Sequence, residues 1–378
     1  MNQKEISELR RRFRAGKSNI SHIYGCYVNT KGEIVTMLDA ALGQLPEQEA
    51  ELYLSRLKKV LSGTQGKNLF DIVFSTQQVA DSEAHTLLMS LRDSMLENGD
   101  IRYEFYRKAI DALDMEGSNY IILMAAESYD VPYRSKDGEE QADASDSVFK
   151  YYVCAVCPTK DENPELRYFS GDNEFHTDAA TQVVGATALG FVFPAFDDRA
   201  ANIYNALYYA RKPEELHQEF IDAVFKTDSL MTASKQKNAF HAALSEALGD
   251  ECRYDVLQSV NGQMLERVEE HKSEKNPEAL SLSFHEVEAM LRRSGVSDEK
   301  VAAFNSSMQA QFGGDVALQP ANLAAGSLEI ETPTAKITIP AEYGYALETR
   351  VIDGRKYILI PADEAVTVNG VEFKIPSN

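Results

Sequence analysis

Apolar positions along this chain follow two patterns. At 119–126 and 148–156 they run almost unbroken, with Tyr120, Ile121, Ile122, Leu123 and Met124 in the first run and Phe149, Tyr151, Tyr152, Val153 and Val156 in the second. Short runs of β-branched and aromatic residues predict strands buried on both faces, at the centre of a sheet covered by helices. Elsewhere apolar residues recur every three or four positions. Ala50, Leu54, Leu57 and Leu61 form one stripe, opened by Pro46 and stopped by Gly63. Ala84, Leu87, Leu88, Leu91 and Met95 form a second, and Tyr106, Ala109, Ile110 and Leu113, capped by Asp100, a third. These predict amphipathic helices. His22–Val28 and Glu33–Leu38 flank turn residues 29–32 and predict a hairpin; Leu69–Phe74 reads as a further strand. Gly190–Phe196 is another, with Pro194 at an edge or a strand end because proline cannot donate to a ladder. Residues 202–210 suit helix or strand.

From Pro213 the pattern turns helical, with stripes Leu216/Phe220/Val224, Phe240/Leu244/Leu248 and Leu257/Val260/Met264/Val268 over 213–227, 232–248 and 253–272. Ser283 and Glu286 match a capping box opening a helix that ends at Gly295, and Ser297 starts another to about Phe312. Residues 313–327 are small and polar, a linker by composition. Strands at 336–339, 349–360 and 366–373 follow, turning at Asp353-Gly354 and Asn369-Gly370, which supply the positive φ of two-residue hairpins. The expected class is α+β: a mixed sheet covered by helices over 1–212, a helical region over 213–312, and a small C-terminal β-hairpin unit over 328–378.

Between the central strands lies 127–147, which holds Glu127, Asp130, Asp137, Glu139, Glu140, Asp143 and Asp146. It reads as a long acidic loop, either solvated or built to contact a basic partner. The chain carries a net charge of −21, unfavourable for phosphate backbones and anionic membranes. Its first residues depart from that balance, with Lys4, Arg10, Arg11, Arg12, Arg14 and Lys17 against Glu5 and Glu8. Such a tip reads as a nucleic-acid or partner-binding arm, or as a solvated first helix. No apolar run approaches the about 18 residues of a membrane span. The start lacks the apolar core of a secretory signal, and four scattered cysteines are not a disulfide framework, so a cytoplasmic location is expected.

Motifs of catalysis are weak. Cys154 and Cys157 have redox or zinc spacing, but they sit in a strand, whose alternation sends the sulfurs to opposite faces, and no second pair completes four ligands. Gly63-Thr-Gln-Gly-Lys67 lacks the spacing of a phosphate loop and follows a helix instead of preceding one. The seven histidines show no ligand spacing. No cofactor and no metal site is therefore expected. Asp197, Asp198 and Arg199, after an apolar strand, are candidates for acid–base work together with Asp130. Residues 283–312 have the outline of a helix-turn-helix with Lys300 facing a phosphate, or of a plain helical hairpin.

Tyr24-Gly-Cys-Tyr-Val28, Leu61-Ser-Gly-Thr-Gln-Gly-Lys-Asn68, Tyr129-Asp-Val-Pro132, Asp143-Ala-Ser-Asp146, Cys154-Ala-Val-Cys-Pro158, Gly190-Phe-Val-Phe-Pro-Ala-Phe-Asp-Asp-Arg199 and Val351-Ile-Asp-Gly-Arg-Lys-Tyr-Ile-Leu-Ile360 resemble a family of clostridia and related Gram-positive bacteria catalogued as a domain of unknown function. That resemblance spans the chain and implies no activity and no catalytic residue. The order of elements is also similar to that of bacterial nucleoid-associated proteins, without a diagnostic motif. Three readings follow. The first is a cytoplasmic, non-enzymatic protein that binds nucleic acid or the nucleoid through Arg10, Arg11, Arg12, Arg14 and Lys17 or through Lys300. The second is a carboxylate-based enzyme or small-molecule binder at the sheet edge. The third is an acidic scaffold for a basic protein partner.

Overall fold

Successive side chains of a strand point to opposite faces, so a strand without polar positions must be covered on both. The computed structural model shows this arrangement; it describes the chain apart from residues 15, 135–139, 163–165, 172, 178–181, 228–229, 275–279, 313–317, 363–365, 369–370 and 374–378. The chain forms two compact units, Met1–Ala233 and, beyond it, Ser234–Asn276 with Leu280–Asn378.

The first unit begins with α1 (Gln3–Arg10), the hairpin β1 (His22–Val28) and β2 (Ile34–Ala41), α2 (Glu47–Lys59) and β3 (Leu69–Val73). Helices α3 (Thr76–Asp81), α4 (Glu83–Asp93) and α5 (Gly99–Ala112) lead to the long strands β4 (Tyr120–Arg134) and β5 (Glu140–Asp161). Short strands follow: β6 (Leu166–Phe169), β7 (Glu174–Thr177), β8 (Gln182–Val184), β9 (Leu189–Phe193), β10 (Ala195–Asp197), β11 (Ala200–Asn202) and β12 (Asn205–Ala210), and then α6 (Gln218–Phe225). The main sheet has the order β2-β1-β4-β5-β9-β12-β3, with β8 also on β5. Expected to be mixed, it is antiparallel in every strand pair among the described residues. Its neighbours β1/β2 and β4/β5 are consecutive in the chain, which leaves no room for the crossover that a parallel pair needs.

Strand alternation divides the core in two. Leu123, Ala125, Tyr129, Phe149, Tyr151, Val153 and Cys157 pack with Ile6 and Leu9 of α1, Phe13, and Leu54 and Leu57 of α2. Ile122, Met124, Tyr152, Cys154 and Val156 turn the other way, onto Leu88, Leu91, Phe105, Ala109, Phe220 and Val224. Cys154 and Cys157 therefore lie in different cores, where burial raises both thiols. Tyr208 and Tyr209 divide likewise, so 202–210 resolves as the end of β11, a turn at 203–204 and the strand β12. Pro194 falls between β9 and β10, a strand end. Because Leu216, Phe220 and Val224 extend this core, the change of pattern at Pro213 is not the boundary between units.

Over 127–134 and 140–147 the chain is strand and not loop. β4 and β5 continue through these residues, pairing as far as Arg134 with Glu140. Glu127, Tyr129 and Val131 are buried while Asp130 is exposed, a strand alternation hidden by a carboxylate in an inward position. Asp137 and Glu139 lie outside the described residues, as do the side chains of Glu140, Asp143 and Asp146.

The second unit contains α7 (Ala233–Leu248), α8 (Tyr254–Glu274), α9 (Phe284–Arg293), α10 (Asp298–Phe312) and α11 (Pro320–Leu323). Three hairpins complete it: β13 (Ser327–Thr332) with β14 (Ala335–Pro340), β15 (Glu348–Ile352) with β16 (Arg355–Leu359), and β17 (Val366–Val368) with β18 (Val371–Phe373). Phe240, Leu244, Val260, Met264, Val287, Leu291, Phe304 and Leu323 form its core. Ser283 and Glu286 make the expected capping box of α9.

Candidate functional site

The basic tip and the carboxylates at the end of β10 belong to one network. Asn2 and Glu5 cap α1 reciprocally, and burial of Ile6 and Leu9 fixes which face of the helix turns inward. That face carries Arg12 to Glu127, whose carboxylate is 1% exposed. Arg12 Nε donates to both Glu127 oxygens at 3.0 Å and Nη2 donates at 2.7 Å. The guanidinium lies 4.1 Å over the Tyr129 ring, a cation–π contact. Glu127 also accepts the Tyr151 hydroxyl at 2.5 Å and the Asn19 N–H at 2.9 Å. Burial disfavours the charged Arg12, but Glu127 reverses that and raises its pKa.

The remaining carboxylates are held in the same way. Tyr129 donates to Glu8 at 2.7 Å, and Arg199 Nη1 reaches the other Glu8 oxygen at 2.6 Å. Arg199 Nη2 donates to the Pro132 carbonyl at 2.8 Å and its N–H to Glu5 at 3.3 Å. Burial raises Glu5, against hydrogen bonds from Asn2 and Arg199. Asp197 accepts the Met1 ammonium at 2.5 Å, Asn202 at 2.7 Å and Asn205 at 3.2 Å. Burial pushes Asp197 up, yet these donors bring it below the ordinary carboxylate value. Asp198 and Arg199 form the tip of the β10–β11 hairpin with φ of 49° and 60°. That left-handed pair usually calls for Asn-Gly, and the bonds made by Arg199 offset the strain. Every acid in this network already meets a donor. It is a clasp holding α1 to the sheet.

The sequence candidates thus separate. Arg12, Asp197 and Arg199 come together inside the clasp, Arg10 is half-buried, and Arg11, Arg14 and Lys17 are exposed. Asp130 and Asp198 are exposed and take no part. Lys300 stands in the second unit, 3.4 Å from Asp250. Nearby, Arg292 bridges Glu288 and Asp298. The exposed positions of α10 are Asp298, Glu299, Ala302, Ala303, Ser306, Gln309, Ala310 and Gln311, which offer no cation to a phosphate. Val287, Met290 and Leu291 of α9 and Val301, Phe304 and Met308 of α10 face the unit's core, so 283–312 is a helical hairpin. Among the described residues no group of three or more His, Cys, Asp or Glu side chains is arranged to hold a metal ion.

No motif marks the groove of the second unit, a cavity of about 750 Å³ between α7, α8 and the chain entering β13. Phe240 and Leu244 of α7 and Leu257, Val260 and Met264 of α8 supply apolar walls; Leu257 is 40% exposed. The third wall is the run of consecutive residues Leu323 to Ile330, which ends in β13. Asn261 of α8 holds this rail, donating to the Ala325 carbonyl at 3.0 Å and accepting the Ala325 N–H at 2.8 Å. Tyr254 donates to the Gly344 carbonyl at 2.7 Å. Gly344 packs against the Leu328 side chain, whose Cδ1 would stand 2.5 Å from an added Cβ and would have to move.

The chain belongs to the family described as a domain of unknown function, DUF4317, which matches residues 1–371. No curated protein matches it. The whole-chain resemblance is thereby shown, whereas nothing in these comparisons supports a likeness to nucleoid-associated proteins.

Proposed function

We propose that this member of the DUF4317 family is a non-enzymatic interaction protein, whose second unit takes an extended segment of a partner protein into the groove between α7, α8 and β13. One observation carries this reading: the groove has apolar helix side chains on two sides and, on the third, β13, an edge strand of a two-stranded sheet. Apolar side chains supply binding energy, and a strand edge supplies a row of main-chain donors and acceptors for an extended chain. A small molecule needs only the first. The acid–base reading is weaker, because the acids that come together are engaged in the clasp. The nucleic-acid reading keeps Arg11, Arg14 and Lys17, and duplex DNA is therefore the competing probe.

The test is selection of short random peptides displayed on phage against the full chain, followed by titration of synthetic copies of the enriched peptides. Because Leu257 is already exposed, Leu257→Glu alters the groove wall without removing a core side chain. Enriched peptides should lose at least about tenfold in affinity on that variant. Equal binding to the variant and the original chain overturns the reading. Tight binding of duplex DNA that disappears on changing Arg11, Arg14 and Lys17 to Ser would favour the nucleic-acid reading instead.

A further inference from the structure

We infer that the groove, on the docking reading above, captures its occupant by strand addition to β13, and that the occupant alternates apolar with basic residues. The register of the hairpin fixes which backbone groups are free for this. β13 and β14 meet at a two-residue turn, with Thr332 opposite Ala335 and, two steps back each time, Ile330 opposite Ile337 and Leu328 opposite Ile339. In a two-residue hairpin the closing pair is hydrogen-bonded, and bonded pairs then recur at every second position. The Ala341 N–H donating to the Gly326 carbonyl at 3.0 Å continues the same series. Even-numbered residues of β13 therefore spend their N–H and C=O groups on β14.

Ser327, Glu329 and Glu331 turn theirs to the opposite edge, where no strand lies among the described residues. That edge faces the groove. Ala325, of the same parity, gives both its N–H and its carbonyl to Asn261 of α8, and Ser327 and Glu329 line the cavity. Asn261 thus stands at the head of the rail where the first residue of an added strand would continue.

The side chains of β13 define what the added strand should carry. Leu328 and Ile330 share one face and line the groove, so alternate residues of the occupant meet them and the apolar walls of α7 and α8. Glu329 and Glu331 share the other face. Lys336, directly opposite Glu331, pairs with Glu329 at 3.0 Å, which leaves Glu331 exposed and without an ion pair among the described residues. A basic residue on the added strand completes it. The net charge of −21 acts in the same direction over longer range.

The chain contains no tryptophan, so a single tryptophan in a peptide reports binding without background. Four synthetic peptides with the same Lys and Ile content decide the matter: one alternating Lys and Ile, one with the Lys and Ile residues in blocks, and two alternating forms N-methylated at every second amide, one in each phase. The alternating peptide should bind at least about tenfold more tightly than the blocked one. Methylation in one phase should abolish binding while the other phase tolerates it, since an added strand bonds β13 along one edge only. Glu331→Lys should weaken the lysine peptide and strengthen its glutamate counterpart. If Leu257→Glu weakens the peptides but neither the order of residues nor the methylation phase matters, the groove is a docking site and strand addition is wrong. If Leu257→Glu changes nothing, the docking reading itself fails. Circular dichroism of each variant checks that it is folded.

Discussion

Glu127 sits at an inward position of β4, where the alternation calls for an apolar side chain. Its place is justified by the donors that surround it: Arg12, Tyr151 and the Asn19 amide. Deleting one member of a buried pair leaves the other uncompensated, whereas replacing both by apolar groups is tolerated. Glu127→Leu should lower the stability of the first unit by about 3 kcal/mol in urea denaturation, and adding Arg12→Met should recover much of that loss. A loss below about 1 kcal/mol would show the clasp to be incidental. The other end of the network is titratable. Burial opposes the Met1 ammonium, but Asp71 and Asp197 raise its pKa above the ordinary 8.0, while Asp197 is lowered. The stabilisation from the raised amine is complete below its unfolded value and is lost as pH rises through the folded one; that from Asp197 is present above its unfolded value and lost as pH falls through the folded one. Melting temperatures should therefore hold between these limits and fall above about pH 8, and acetylating the amine should remove the alkaline fall. An unchanged alkaline fall after acetylation would contradict the ion pair.

At the level of elements, the helices were legible because their stripes are long and apolar, and the two central strands because nothing polar interrupts them. Their extension past Ala126 was not, since Glu127 and Asp130 together imitate a loop when the partner of Glu127 is more than a hundred residues away. The rail before β13 was hidden by its composition, because small residues that let a backbone lie against α8 look like a linker. Packing between elements is tight at Gly190, where an added Cβ would meet the Cys154 carbonyl and, at 2.6 Å, Val60 just beyond α2. Gly190→Ala should cost about 1–3 kcal/mol, read by thermal melting; an unchanged melting temperature would mean that α2 has room to retreat. Asn261→Ala removes both bonds to Ala325, and amide exchange over 325–331 should accelerate while α9 and α10 keep their protection. Equal acceleration in those helices would instead make Asn261 a general support of the unit.

Over the whole molecule, the α+β class followed from pattern alone, but the groove did not. It joins α7, α8 and β13, elements separated by up to about ninety residues, and none carries a motif. The two units have separate cores, so chemical unfolding should show two cooperative blocks, with Phe304→Ala moving only that of the second unit. Coincident loss of both blocks in that variant would show the cores to be coupled. The clasp makes α1 part of the first unit's structure, and the groove makes the second unit the place to look for partners. Hydrogen exchange of the full chain with the alternating Lys/Ile peptide tests this most directly. Exchange should slow at Ser327, Glu329 and Glu331 and stay unchanged over 10–17; slowing over 10–17, with 325–331 unaffected, would contradict docking in the second unit.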